Sequence, residues 1–302
     1  MKQKLQQVTA QLNRLILGKP AQIRLAITCL LARGHLLIED LPGVGKTTLS
    51  HALAQVMGLE FNRIQFTADL LPTDILGASI YERQSERFSF HQGPIFTQVV
   101  LADEINRASP KCQSALLEAM EERQVSIEGQ TYPLPEPFFV IATQNPTEQL
   151  GTYPLPESQL DRFLMVLSLG YPDREAELGL LLGEDRRQLM ATLGEAMSHR
   201  DLLTLQQQVG EVKVSDALAD YVLALVRFSR EGQRYRMGLS PRAGLALLHA
   251  ARAWALLDGR AFVRPDDVQA VLPAVVSHRL QLQQRQEGVG SVVEPLLQVP
   301  LP

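Results

Sequence analysis

Residues 39–48 read Glu-Asp-Leu-Pro-Gly-Val-Gly-Lys-Thr-Thr, between a short apolar run and an amphipathic segment. No other stretch restricts the fold as tightly. Leu36, Leu37 and Ile38 predict a strand before it. Leu49, Ala52, Leu53 and Val56 recur at helical spacing after it, and Gly58 predicts the stop. A glycine-rich turn between strand and helix lets several backbone N–H groups converge on one anion, and the helix N-terminus adds partial positive charge. Pro42, Gly43, Val44 and Gly45 form that turn. Lys46 can reach outer phosphates, the Thr47 hydroxyl can bind Mg²⁺, and Thr48 continues the first helical turn. Asp40 stands where such loops usually open with glycine. The expectation is nucleotide chemistry.

The remaining strand signals are Phe61–Phe66, Val99–Asp103, Phe138–Thr143 and Leu164–Leu169, alternating with helical segments. That alternation predicts a parallel sheet covered on both faces, with its site beyond the carboxyl ends of the strands. Two insertions, Ala78–His91 and Arg123–Leu134, read as hairpins. After Pro172 the strand signals stop and helical periodicity runs to about Leu282. Four segments are expected: residues 1–172, a helical connection 173–200, an all-helical domain 201–285 and a loosely held tail 286–302.

Composition narrows the class. The chain has 302 residues, 45% hydrophobic and 21% charged, so a sizeable core is within reach. A net charge of −4 gives no bulk attraction for nucleic acid or an anionic membrane. Cys29 and Cys112 sit in unrelated settings and predict no disulfide framework. The six histidines never pair at metal-ligand spacing. Met1–Arg14 lacks the apolar centre of a signal peptide, and no stretch reaches the roughly 20 apolar residues of a membrane span. A cytoplasmic setting without membrane insertion is expected.

Val99–Glu104 is an apolar strand ending in two carboxylates. Desolvating adjacent acids is costly unless a cation or substrate uses them. Asp103 is assigned to the Mg²⁺ shell and Glu104 to activating water; a helix N-cap is the alternative. Asn145, after a second apolar strand, could orient that water, although an Asn before Pro146 is also a common turn. Arg162 reads on local sequence as a helix-end cation. Arg242 follows an N-cap (Ser240) and Pro241, so it stands in a first helical turn, where the dipole disfavours a cation by about 0.3–1 kcal/mol. A nearby anion would reverse that sign.

Together these stretches resemble the AAA+ ATPases, and among them the MoxR-type group. The matching residues are Glu39–Thr47, Leu101–Ala108, Ala142–Pro146, Pro156–Phe163 and Ser240–Ala243. The resemblance implies a P-loop α/β core with a five-stranded parallel sheet, followed by a small all-helical lid. It implies ATP and Mg²⁺ as cofactors. Lys46 and Thr47 match Walker A, Asp103 and Glu104 Walker B, and Asn145 sensor 1. Arg162 matches an arginine finger acting on a neighbour's nucleotide, and Arg242 matches sensor 2. Leu17 and Gly18 lie in the segment that packs on adenine, and Arg107 at a position that can act in trans. The nucleotide would sit between core and lid at a subunit boundary, in a homo-oligomer of hexameric form. The hairpins would border the ring pore. The client would be a partner protein, in this group often one with a von Willebrand factor A domain, activated or matured in a chaperone-like way, including by metal insertion. Two other readings stay open: a nucleotide-gated scaffold with little turnover, and a DNA-associated ring motor.

Overall fold

Two helices precede the sheet. In α1 (Lys2–Leu15), Leu5, Val8, Leu12 and Leu15 recur at helical spacing, and all four are buried. Gly18, at φ +69, turns the chain into α2 (Pro20–Leu31), which opens on proline. The structure is a computed structural model describing residues 1–84, 86–146, 151–183, 185–231, 234–283 and 289–301.

The core continues with β1 (Leu36–Glu39), α3 (Lys46–Val56), β2 (Phe61–Gln65), α4 (Pro72–Leu76), β3 (Gly77–Glu82) and β4 (Arg87–Gln92). Then come β5 (Val99–Asp103), a 3₁₀ turn (Ile105–Arg107), α5 (Pro110–Glu122), β6 (Gln124–Ile127), β7 (Gln130–Pro133), β8 (Phe139–Gln144), α6 (Glu157–Leu160) and β9 (Met165–Leu167). Five strands form one parallel sheet in the order β2-β5-β8-β1-β9. Its central strands β1, β5 and β8 are buried on both faces because both faces are covered, while the edge strand β2 is part polar. Val99 and Leu101 join the core beneath α1–α3, while Val100 and Ala102 join the core beneath α5. Parallel pairing puts Glu39, Gln65, Asp103 and Gln144 on one edge, the carboxyl edge. The two expected hairpins are present as β3–β4 and β6–β7.

Beyond β9 follow α7 (Arg174–Leu182), α8 (Arg186–Thr192), α9 (His199–Glu211), α10 (Asp216–Arg230), β10 (Tyr235–Met237), α11 (Pro241–Leu257), α12 (Pro265–Val276), β11 (Gln281–Leu282) and α13 (Val289–Leu297). Ser198, Ser215 and Ser240 cap α9, α10 and α11 through their hydroxyls. The helical part carries one unexpected feature, an antiparallel ribbon of β10 and β11. Strands of three and two residues are too short for alternation to register in a sequence. The end of the chain also departs from the loosely held tail expected. Val293 and Leu296 of α13 are buried, and Tyr235 Oη donates to the Val292 carbonyl (2.8 Å). Apolar residues at a spacing of three make one helical face that the lid covers. Residues 284–288 and 302 of that region lie outside the description. Among the described residues, no helix is long and apolar enough to cross a membrane.

The lid docks on the opposite, amino edge. Arg279, in a 3₁₀ turn after α12, donates to the Asp161 carboxylate (2.6 Å) and to the Phe163 and Leu164 carbonyls just before β9 (2.8 and 3.2 Å).

Candidate nucleotide site

The phosphate loop keeps its glycines for conformation and for space. Gly43 and Gly45 have φ of +85 and +96, and no atom lies within 4 Å of where either Cβ would stand. That gap is where an anion can approach backbone N–H groups. Lys46 opens α3 and donates to the Asp40 carbonyl (2.6 Å). Partial burial lowers its pKa, opposed by the charges of Asp40, Asp103 and Glu104. Asp40 itself is buried. Its Oδ1 accepts from Leu41 N (2.9 Å), and its Oδ2 from Gly170 N (2.6 Å) and Ser168 Oγ (3.2 Å). A buried carboxylate needs such donors. They give a reason for aspartate here: it ties the loop to the chain leaving β9. The same chain receives the expected adenine segment. Lys19 donates to the Tyr171 carbonyl (2.7 Å), Gly18 lies against Asp173 and Ala176, and Leu17 lies against Gly179. Residues 168–179 therefore touch both Asp40 and Leu17-Gly18.

Asp103 ends β5 and Glu104 lies just past it, so the left-handed turn at Glu104, not strand alternation, sets where its side chain goes. Asp103 Oδ1 accepts from Thr143 Oγ1 (2.6 Å), while Oδ2 takes Arg63 Nε and Nη2 (3.1 and 2.6 Å). Glu104 has φ +57, a left-handed conformation that non-glycine residues hold only where the surroundings enforce it. Its N–H donates to Thr143 Oγ1 (2.9 Å). Its Oε2 accepts from Gln65 Nε2 (2.8 Å) and pairs with Arg107 Nε (3.2 Å). Thr143 therefore joins the two acids through one hydroxyl. Asn145 lies one residue past β8, and its carbonyl receives Asn106 Nδ2 at 3.5 Å. Residues 147–150, which follow it, lie outside the description.

Sequence reasoning missed Arg63, Gln65 and Thr143. Their signal is strand register: Gln65 stands beside Asp103, and Ala142 beside Ala102, so Thr143 falls next to Asp103. That signal exists only once strand order is known. Among the described residues, no three His, Cys, Asp or Glu side chains cluster as a metal cage. A sparse oxygen set such as Thr47 with Asp103 would suit Mg²⁺ held mainly by phosphates and water.

Comparison with known proteins agrees with this geometry. Residues 35–165 match the family described as "ATPase family associated with various cellular activities (AAA)", and residues 227–296 match the AAA lid domain. The chain is 46% identical over 286 residues to the Bacillus subtilis protein YeaC, covering 95% of this chain and 89% of that one. It is 44% identical over 294 residues to chaperone MoxR1 of Mycobacterium tuberculosis, covering 92% and 76%. It is 35% identical over 312 residues to MoxR of Paracoccus denitrificans, covering 95% and 91%. A crystal structure of a Cytophaga hutchinsonii protein assigned as an ATPase superposes with a TM-score of 0.88 at 35% identity, covering 99% and 94%. This chain is a MoxR-type AAA+ ATPase.

The MoxR-type ATPase does not bring its two remaining candidate arginines to its own phosphate loop. Arg162 lies three residues before β9, and Leu164 N donates to the His35 carbonyl ahead of β1, which fixes this segment at the amino edge. Arg242, on α11, reaches the same place. Both arginines pair with Glu121 near the end of α5: Arg162 Nη2 with Oε2 (3.2 Å) and Arg242 Nη1 with Oε1 (3.3 Å). Met120, one residue earlier, accepts from the His35 ring (3.1 Å), again at the amino edge. The 13 residues of α5 span about 20 Å between the two edges. Arg242 thus stands at the edge away from its own chain's phosphate loop. The lid helix α11 is held there by packing on α2 and α9, with Arg24 stacked on Trp254, and Arg279 ties the turn after α12 to the same edge. Arg107, by contrast, stays at the carboxyl edge on its own Glu104.

Proposed function

We propose that this chaperone-like ATPase works as a homo-oligomeric ring, six subunits in its full form, that hydrolyses ATP between neighbours and turns the motion on a client protein. One observation carries the reading. Lys46, Asp103 and Glu104 stand at the carboxyl edge, while Arg162 and Arg242 stand together at the amino edge. At the carboxyl edge Arg63 and Arg107 are already paired with Asp103 and Glu104, and the arginines with N–H donors open to a phosphate stand at the other edge. Two copies set edge to edge bring the acids and those arginines together.

In this reading the backbone N–H groups of residues 43–48 and Lys46 bind the phosphates, while Leu17 and Gly18 border the base. Thr47 and Asp103 would hold Mg²⁺, which when bound neutralises charge on phosphate oxygens. Glu104 releases Gln65 and Arg107 and accepts a proton from water. The water oxygen bonds to the terminal phosphorus as the bridging P–O bond breaks and ADP leaves. Asn145 orients the water. Arg162 and Arg242 of the next subunit offset the charge on the transferred group. The β3–β4 hairpin supports a client-facing role: Tyr81 and Phe88, paired across it with their rings in contact, are 50% and 69% exposed, and Ile80 is 50% exposed. The client class that we favour is a protein with a von Willebrand factor A domain, in the cytoplasm. Two free cysteines fit that reducing compartment.

The test is turnover per subunit against protein concentration. It should climb as sedimentation shows assembly and vanish in Lys46→Ala. Constant turnover per subunit in a verified monomer would overturn the reading.

A further inference from the structure

The lid and the core each contribute one arginine to the amino edge, and a single carboxylate stands between them. Glu121 gives one oxygen to Arg162 and the other to Arg242. Two guanidinium groups this close repel each other, and both keep N–H donors to spare, since each carries five. The Arg242 side chain is 56% exposed and that of Arg162 31%, so both remain open to an approaching anion. The helix that carries Glu121 is well packed. Glu121 sits on the last turn of α5, whose Leu116, Leu117, Ala119 and Met120 are buried and whose Met120 carbonyl is tied to His35. The site thus has an acid carried on a packed helix and two bases from different parts of the chain.

We propose that Glu121 is a positioning residue for hydrolysis in the neighbouring subunit: it holds Arg162 and Arg242 side by side, so that core and lid present one paired cation to the neighbour's terminal phosphate. This rests on the reading that both arginines act across the subunit boundary. The carboxylate does two things. It screens the repulsion that would otherwise splay the pair. It also links the lid to the core, so that the two arginines reach or leave the phosphate together. Misplacement by about 1 Å can cost up to about a hundredfold in rate, so losing this link should register in turnover and not in nucleotide affinity. The subunit's own pocket lies at the other edge of the sheet and should not sense the change.

The experiment is ATP turnover in rings of defined mixture, with a fluorescent ADP analogue to report affinity. Glu121→Ala rings should turn over about tenfold more slowly, with KM and analogue affinity within twofold of wild type. Glu121→Gln, which keeps the side-chain volume and one acceptor oxygen, should fall between. Mixing Glu121→Ala with Lys46→Ala subunits should raise turnover, because intact arginine pairs then face intact pockets. Mixing Glu121→Ala with the Glu121→Ala/Lys46→Ala double variant should not. Wild-type turnover in Glu121→Ala rings overturns the inference. So does an equal rise with both partners, or a loss of affinity that mixing cannot repair. Arg162→Ala and Arg242→Ala, run alongside, separate the two readings. If neither is repaired by Lys46→Ala subunits, action across the boundary fails. If both are repaired while Glu121→Ala behaves as wild type, only the role of Glu121 fails.

Discussion

The two edges of the sheet are built by different means. At the carboxyl edge, short local segments do the work: a loop, two strand ends and a register. Glu39, Gln65, Asp103 and Gln144 converge because parallel strands end together. At the amino edge, Glu121, Arg162 and Arg242 converge only because α5 runs the depth of the sheet and the lid helix α11 is held at that edge. The first edge is acid-rich with internal counter-ions, and the second presents arginines in excess of its carboxylate. Their difference teaches that each subunit carries two half-sites facing apart. It follows that a defect at one edge should be repairable by a neighbour, and a defect at the other should not.

Arg162→Ala gives the strongest contrast. An arginine supplied to a neighbour's phosphate is worth about 10³–10⁵ in rate, so the pure variant should lose at least about a thousandfold. Lys46→Ala subunits, which are dead by themselves, should restore a measurable share of the activity when mixed in. A flat response across all mixing ratios would place Arg162 on its own chain's chemistry and erase the contrast between the edges.

Glu104→Gln tests the other half. A positioned general base contributes about 10²–10⁴, so turnover should drop by at least about a hundredfold while nucleotide binding persists. Here mixing with Lys46→Ala should restore nothing, because neither partner supplies a working pocket. Any restoration would mean that Glu104 serves the adjacent subunit.

This contrast also governs what the sequence could reveal. The phosphate loop, Asp103 and Glu104 were legible because their chemistry is carried by adjacent residues with fixed spacing. The parallel α/β core followed from alternation, and both hairpins from period-two runs. Arg162 reads locally as an ordinary helix-end cation, and the first-turn position of Arg242 pointed only to a nearby anion, so their roles could be assigned only through family resemblance. Glu121 carried no signal at all: it is one acid among several in Glu118-Ala119-Met120-Glu121-Glu122, and only the fold shows that two arginines meet there. Thr143 and Arg63 were hidden for the same reason, their partners being strands away. The packed α13 was missed because a short helix after a Gln-rich stretch resembles a tail.

The edges should also differ in their response to acid. His35 and His278 both sit at the amino edge, and burial holds both neutral, with pKa values lowered to about 4 and about 3. Val140 N donates to His35 Nδ1, which leaves Nε2 to donate to the Met120 carbonyl. Each histidine binds a proton near pH 6.5 when unfolded but not when folded. Their contribution is therefore complete above pH 6.5 and declines as pH falls toward the folded values. For His35 alone, the decline from pH 6.5 to 5 is roughly 2 kcal/mol. Urea unfolding at pH 7 and pH 5 should show it, and His35→Gln should flatten it. Amides at the end of α5 should lose hydrogen-exchange protection before those of β5. Uniform loss across both edges would mean that the histidines do not set the acid limb.

The smallest effect expected concerns the counter-ion at the carboxyl edge. Arg63 places Nε and Nη2 on Asp103 Oδ2 and reaches Gln65 as well (2.6 Å). A cation already on the carboxylate competes with any Mg²⁺ that Asp103 helps to hold. Removing it leaves the acid more negative, with Thr143 still orienting Oδ1. Arg63→Gln should therefore lower the Mg²⁺ concentration needed for half-maximal binding of an ADP analogue, by about tenfold, the effect of one lost charge contact of roughly 1.4 kcal/mol. The Arg63 side chain is 48% exposed, and solvent screening makes that figure an upper bound. Binding without Mg²⁺ should change little. If the Mg²⁺ requirement rises instead, Arg63 belongs to the binding surface itself, and the carboxyl edge would then carry a working arginine of its own, which would narrow the contrast with the amino edge.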